Sequence, residues 1–294
     1  MQGLILAAGE SSRLRPLTLG IPKPLISICG KTLIDYSIEK IRELNVKEIG
    51  IVVGYLSKLI EEYISSKYSE KFEYILQERR LGIANAIYIA IEQGFIKDSF
   101  VTYLSDNIFI DSFENLVNDI SNSDVFVLLS KVRDPSRFGV ALIENNKIKK
   151  LVEKPKEFIS NYVLTGLYYF RDPDLVLKAY RSLRPSERGE YEITELIQWF
   201  IDRNYDVKFK IVEKWWKDVG TRKSLLEATY FLLDNIQERY EDDNIEGRVR
   251  IEKGAKIEGK IIGPAYIGEN VIIEKNVVIQ PYTCIAVSYT HLRA

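Results

Sequence analysis

The sequence predicts an α/β fold: a Rossmann-like, mostly parallel sheet with flanking helices, followed by a short left-handed parallel β-helix. Three observations carry that expectation. Up to about residue 132, short apolar runs alternate with amphipathic stretches of helical length, the pattern of a sheet with a helix after each strand. From Phe138 to Phe170 the apolar runs crowd together, as antiparallel strands do. Beyond about Gly247, isoleucines stand at 261, 267, 273, 279 and 285, a period of six. That period marks a triangular coil with one apolar residue per flat side.

In chain order, Leu4–Ala8 reads as a buried first strand that breaks at Gly9. Leu33–Leu44 reads as a helix, because Leu33, Ile34, Ile38, Ile41 and Leu44 fall on one face. Strands are expected at Ile49–Val53, Phe72–Gln77, Phe100–Leu104 and Val125–Leu129, then at Gly139–Glu144, Ile148–Glu153 and Val163–Phe170. Helices follow at Pro173–Ser182, Tyr191–Asp202 and Ser224–Tyr240, with a strand near Val207–Val212. This divides the chain into a main α/β domain over 1–240 and a partial β-helix over 247–286. Ile251 and Ile257 precede the regular isoleucines slightly out of phase. Two coils are fewer than the three repeats that usually stand alone, and an uncapped coil end favours a homo-oligomer. Residues 287–294 leave the rhythm and read like translated sequencing adapter, so His291 is given no role.

The 294 residues, 34.0 kDa, allow a full core plus an appendage. A net charge of −1 and a pI near 6.1 provide no general attraction for nucleic acid or anionic lipid. No apolar run approaches a membrane span, and no basic region precedes the first apolar stretch, so a cytoplasmic protein is expected. Cys29 and Cys284 lie far apart in sequence without a CxxC pair, which suggests neither a disulfide nor a thiolate metal site. With His291 the only histidine, the chemistry must rest on carboxylates, lysines and arginines.

The loop after the first strand offers Gly9, Ser11, Ser12, Arg13, Arg15 and Lys23. Backbone N–H groups with fixed cations at a strand end suit phosphates, although solvated loop charges would read the same way. Arg13 can grip phosphate oxygens bidentately, while Lys23 acts as a point charge. The loop lacks the three glycines of a dinucleotide fingerprint. Gly30-Lys31-Thr32 is not a Walker loop either, because Leu25 occupies the partner glycine position. Asp106 ends an apolar strand and Asp218 precedes a glycine turn. Each alone reads as a cap or turn former, but together they could hold a divalent cation.

The stretch Gly9-Glu-Ser11-Ser12-Arg13-Leu14-Arg15-Pro16-Leu17-Thr18, with Pro22-Lys23 after it, resembles the GxGTRLxPxT and PK signature of sugar-1-phosphate nucleotidylyltransferases. Ser11 stands where that family has its second glycine, so a left-handed backbone there would be strained. The resemblance continues through Ser105-Asp106-Asn107, Glu153-Lys154-Pro155, Arg188-Gly189-Glu190-Tyr191-Glu192-Ile193-Thr194 and Trp216-Lys217-Asp218-Val219-Gly220. It implies that Asp106 and Asp218 hold Mg²⁺ and that Arg13, Lys23, Lys154 and Arg188 do the catalytic work on phosphates. It also implies that Leu6, Ala8, Gly9, Ser11, Ser12, Gln77 and Gly82 bind the nucleoside triphosphate, Gln77 by reading a pyrimidine edge. Glu153 would hydrogen-bond the sugar, Gly139, Thr165 and Gly166 would line the sugar pocket, and Trp216 would be a further substrate-binding residue. Ile83 replaces the usual threonine of the L-G-T-A stretch, which removes one expected hydroxyl.

Ser105–Phe109 is similar to the G-D-N-I-F of glucose-1-phosphate thymidylyltransferases, which implies dTTP first and UTP second. A metal-dependent glycosyltransferase would want an Asp-x-Asp pair, and Asp106 is followed by Asn107 and Ile108. A nucleotide-sugar-sensing subunit without activity should have lost Arg13, Lys23 or an aspartate, and none is missing.

Overall fold

In the computed structural model, residues 1–9, 11–286 and 291–292 are described. The chain divides into two compact units. One comprises Met1–Leu25 and Leu33–Asp218, the other Ile26–Thr32 with the residues from Val219 onward.

The first unit is built on nine strands: β1 Gln2–Leu6, β2 Ile49–Val53, β3 Phe72–Leu76, β4 Phe100–Leu104, β5 Val125–Lys131, β6 Gly139–Glu144, β7 Lys147–Glu153, β8 Tyr162–Phe170 and β9 Val207–Ile211. Their order is β7-β6-β8-β4-β1-β2-β3, with β5 pairing both β8 and β9. The β4-β1-β2-β3 run is parallel throughout, and β8 joins it antiparallel to β4. The expected mostly parallel core and its antiparallel extension are both present.

Period-two alternation sends neighbouring residues of each strand to opposite faces. Leu4, Val52, Ile75, Phe100 and Val127 face one core, closed by helices α3 (Ile83–Glu92), α4 (Pro173–Ser182) and α5 (Ile193–Ile201). Ile5, Ile51, Val53, Val101 and Tyr103 face the other, under α1 (Leu33–Arg42) and α2 (Ser57–Lys67). Two buried faces explain why β1, β2 and β4 read as nearly continuous apolar runs. The first strand sits two residues earlier than expected, at Gln2–Leu6 rather than Leu4–Ala8. Gln2 is buried by its own hydrogen bonds: its Nε2 donates to Glu48 Oε1 and to the Phe95 carbonyl, each at 2.7 Å.

In the second unit, α6 runs from Arg222 to Asp234 and starts on a capping box between Thr221 and Ser224. The sequence pattern predicts that this helix continues to Tyr240. It stops at Asp234 because Tyr240 belongs to a strand, Arg239–Glu241, where it pairs with Gly247.

The isoleucines then stack in parallel on three sides. Ile261 lies beside Ile279, and Ile267 beside Ile285, eighteen residues further on. Ile245, Ile251 and Ile257 pair with Ile261, Ile267 and Ile273 at a distance of sixteen. The phase slip is therefore a corner two residues shorter between Ile257 and Ile261. Gly259 makes that corner possible, since a Cβ there would stand 2.5 Å from the Val277 carbonyl oxygen. In the tail, His291–Leu292 pair with Ile272–Ile273. The rest of the expected non-native tail, 287–290 and 293–294, lies outside the described residues.

Candidate active site

Two adjoining clefts open at the carboxyl ends of the parallel strands, where ligands sit in open α/β sheets. The first, of about 400 Å³, is lined by Leu6, Ala8, Gly9 and Ser11 on one side and Gln77 and Gly82 on the other, with Lys23. The second, of about 470 Å³, is lined by Gly139, Glu153, Lys154, Thr165, Arg188 and Trp216, with Asp218. Arg13 and Asp106 line both.

Ser11 adopts φ 54° and ψ 44°, the left-handed conformation expected at a position that is glycine in the related signature. Its carbonyl accepts from Thr18 Oγ1 and from the Leu14 N–H, both at 3.0 Å. Those bonds hold a conformation that costs a non-glycine residue about 1–2 kcal/mol. The turn Ser12–Leu14 then presents Arg13 to both clefts. Ser12 itself lines neither cleft.

Asp106 follows β4, and its neighbour Asn107 begins a short ribbon, Asn107–Phe109, paired antiparallel with Trp216–Asp218. Asn107 lies opposite Asp218, so the ribbon brings the two aspartates together from positions 112 apart in sequence. Lys23, buried in the wall, donates to Asp106 Oδ2 at 2.6 Å, and Asn107 Nδ2 donates to Oδ1 at 2.7 Å. Burial alone would raise the Asp106 carboxyl, but Lys23 and Asn107 hold it below its ordinary range. Asp218 shifts the other way: burial first, then the charge of Asp106, pushes it up to about 6, against the pull of Lys23, Arg13 and Arg137.

Asn107 was not singled out by the sequence, yet it organises this centre. Trp216 Nε1 donates to its Oδ1 at 2.5 Å, which orients Trp216 at the rim of the second cleft. Gly166 does not line that cleft as expected; it seats Asn107. A Cβ on Gly166 would stand 2.5 to 2.9 Å from the Asn107 side-chain atoms. Gly166→Ala is therefore expected to displace Asn107 and lower turnover at least tenfold, with a cost of about 1–3 kcal/mol in stability. Thermal melts and steady-state kinetics on the same preparation check both.

In the second cleft, Gly139 stands beside Glu153 in the β6–β7 register, and a Cβ there would collide with Thr194. The Thr165 hydroxyl donates to the Leu128 carbonyl at 2.9 Å, so Thr165 forms wall rather than offering its hydroxyl inward. Arg188 Nη2 lies between both Glu192 carboxylate oxygens, at 2.8 and 2.9 Å, and is also 3.2 Å from Glu153 and 3.3 Å from Glu190. Lys154 also lies 3.3 Å from Glu153. Both cations expected to grip a sugar phosphate are thus drawn onto carboxylates, which a phosphate must displace. Burial, then Glu192, raises the Glu153 carboxyl above its ordinary range, against Lys154 and Arg188.

In the first cleft, Gln77 is buried, and its Nε2 donates to Asn85 Oδ1 at 3.1 Å and to the Gly82 carbonyl at 3.4 Å. With its donors engaged there, its Oε1 is the atom suited to accept a ligand N–H. Gly82 has φ 98° and packs on Tyr191, whose carbonyl oxygen a Cβ would approach to 2.6 Å. Glu190, Arg80 and Arg137 also line the clefts, although the sequence reading assigned none of them. Glu190 belongs to the Arg188–Thr194 motif, while Arg80 and Arg137 give no signal beyond their charge.

The chain matches the family model described as nucleotidyl transferase over residues 2–235. It is 33% identical to a glucose-1-phosphate thymidylyltransferase of Streptomyces griseus, over 97% of this chain and 82% of that protein. It is 37% identical to the bifunctional protein GlmU of Methanococcus maripaludis, over 96% of this chain and 62% of that protein. Among solved structures, a protein assigned as a glucose-1-phosphate thymidylyltransferase from Bacillus anthracis, in complex with a sucrose, is 34% identical. It superposes with a TM-score of 0.71 over 82% of this chain and 98% of that one. A UDP-glucose pyrophosphorylase complexed with UDP-glucose shares the fold, with a TM-score of 0.71 at 23% identity over 79% of this chain and 98% of that one. Two clefts that share Arg13 and Asp106 beyond a parallel sheet, together with these likenesses, place the chain in the nucleotidyl transferase family.

Proposed function

We propose that the chain transfers a thymidylyl group from dTTP to glucose 1-phosphate, giving dTDP-glucose and pyrophosphate. The observation that carries this reading is the pair of adjoining clefts with Arg13 and Asp106 in their shared wall. A transfer between two phosphates needs both held end to end, and two clefts meeting at a cation supply that. The sugar phosphate oxygen attacks the α-phosphorus in line, and the bond to the β-phosphate breaks without a covalent enzyme intermediate.

Arg13 stabilises charge on the departing pyrophosphate, and Lys23 holds Asp106 in place beside the triphosphate. Lys154 and Arg188 aim the attacking phosphate, while Glu153 takes a sugar hydroxyl. Gln77 accepts the base N3–H through Oε1. Asp106 and Asp218 suit Mg²⁺, because two facing carboxylates, one pushed up to about 6, form a repulsion that a divalent cation relieves. Bound there, Mg²⁺ supplies positive charge for the phosphate oxygens.

Thymine and uracil present the same O4 and N3–H edge, so the preference for dTTP rests on the likeness of Ser105–Phe109 to thymidylyltransferases. Pyrophosphate release with dTTP, UTP and other triphosphates against glucose, galactose and mannose 1-phosphates tests it. The highest kcat/KM is expected for dTTP with glucose 1-phosphate, with UTP behind by about tenfold. A preference for UTP or for another sugar overturns the assignment, and no release with any pair favours a sensing subunit.

The Asp218 shift also predicts how Mg²⁺ acts on stability. A carboxyl raised above its unfolded value favours the protonated state, so its stabilising share is present at low pH and lost as pH rises through about 6. Mg²⁺ binds the ionised form. Its stabilisation should therefore be full above neutrality and fall away as pH drops through about 6. Melting temperatures with Mg²⁺ and with chelator, at pH 5 and pH 8, are expected to differ only at pH 8. Asp218→Asn is expected to remove the difference.

A further inference from the structure

Cys29 and Cys284 stand 255 positions apart, and the sequence reading kept them apart. In the second unit their sulfurs face each other at 3.1 Å, and both residues are half-buried. They are the only cysteines in the chain.

Each is set in place by packing that does not involve its sulfur. Cys29 lies with φ 48° at the tip of a hairpin, Ser27–Ile28 against Lys31–Thr32. Next to it Gly30, with φ 83°, seats the hairpin on the Tyr266 ring, which a Cβ at that position would strike. Cys284 lies in the strand Thr283–Ile285, paired directly with Tyr266. One tyrosine thus supports both cysteines.

We propose that Cys29 and Cys284 form a thiol–disulfide pair, closed by exchange with a small-molecule or protein disulfide. Moving the sulfurs from 3.1 Å to a bonded distance of about 2.05 Å is within side-chain rotation. The Cys29 thiol is pushed up by its hydrogen bond to Cys284 and by burial, while that hydrogen bond holds Cys284 low, against the effect of burial. With the shared proton on Cys29, Cys284 is the thiolate that attacks first.

Its sulfur attacks one sulfur of the incoming disulfide and expels the other as a thiolate, which takes the Cys29 proton. The Cys29 thiolate then attacks the Cys284 sulfur of the mixed disulfide and expels the second thiolate. Two protein thiols are oxidised, and one external disulfide is reduced to two thiols. The product staples the hairpin that follows Lys23 in the chain to the strand Thr283–Ile285 of the coils.

The test uses the full chain incubated with oxidised glutathione, then alkylated under denaturing conditions and analysed by intact mass and a non-reducing peptide map. The expected result is loss of two hydrogens, no alkylation, a cross-linked peptide pair containing Cys29 and Cys284, and a monomer on a non-reducing gel. The melting temperature should rise by about 5 °C or more and return to its starting value with dithiothreitol. Cys29→Ser should stop at a Cys284–glutathione adduct, Cys284→Ser should leave Cys29 without its intramolecular partner, and both should lose the rise. Two cysteines that stay alkylatable, that keep stable glutathione adducts, or that link separate chains overturn the proposal. The mass measurement decides it on the unmodified sequence even where a variant folds poorly.

Discussion

Asp106→Asn is expected to lower kcat by about 10³-fold or more while leaving the melting temperature within a few degrees of the starting chain. The asparagine keeps the shape and can still accept from Asn107 at the end of β4, so the ribbon to Trp216–Asp218 survives. What it loses is the charge that meets Lys23 at 2.6 Å and opposes Asp218. Lys23 would then stand in the wall beside a neutral amide, and the cation pair would be reduced to a single carboxylate. Asp218→Asn should cost turnover on a similar scale. The two differ in the apo protein: Asp218→Asn removes a like-charge repulsion, while Asp106→Asn removes an ion pair. Asp218→Asn should therefore melt higher than Asp106→Asn in chelator at pH 8. Near-normal rates with Mg²⁺ in both variants would remove the metal role from the pair.

That contrast was only half legible in the sequence. The carboxylates could be found, because each ends an apolar run beside a glycine or polar turn. Their opposite electrostatic fates could not, because they depend on which one Lys23 reaches. Lys23 sits 83 positions from its partner, and no local spacing encodes that contact. Asn107 and Gly166 show the same limit. Asn107 lies inside the Ser105–Phe109 motif, but its role emerges only when Trp216 and Gly166 close on it from two other strands.

The fold was more legible, and for a physical reason. Strands buried on both faces cannot hide their composition, so β2 and β4 were located to the residue. Ends governed by polar contacts were not. Gln2 extended β1 toward the start because Glu48 and the Phe95 carbonyl satisfy its amide. The isoleucine period gave the coils, but a two-residue corner at Gly259 looked like noise until the pairing of Ile257 with Ile273 was seen. The cysteines are the plainest failure of linear distance: hairpin and coil are remote in sequence and adjacent in space.

Arg13→Lys should be far from conservative, with an expected loss of about 10²-fold in kcat/KM for the triphosphate. Arg13 is placed at the junction of the clefts by a turn whose first residue, Ser11, is held left-handed by Thr18. From there a planar guanidinium can face phosphate oxygens on two sides, and it also helps hold down the Asp218 carboxyl. Lysine keeps one positive charge but offers a single point of contact, so bidentate geometry is lost even where the charge is retained.

The division between kcat and KM identifies the role. A loss mainly in kcat means that Arg13 meets charge that develops as pyrophosphate departs, whereas a loss mainly in KM for the triphosphate means that it only binds ground-state phosphate. Initial rates over a matrix of both substrates separate the two, and the KM for the sugar phosphate serves as the internal reference. An unchanged rate and unchanged affinity in the lysine variant would show that phosphate does not depend on this arginine, and the loop after β1 would lose its part in the reaction.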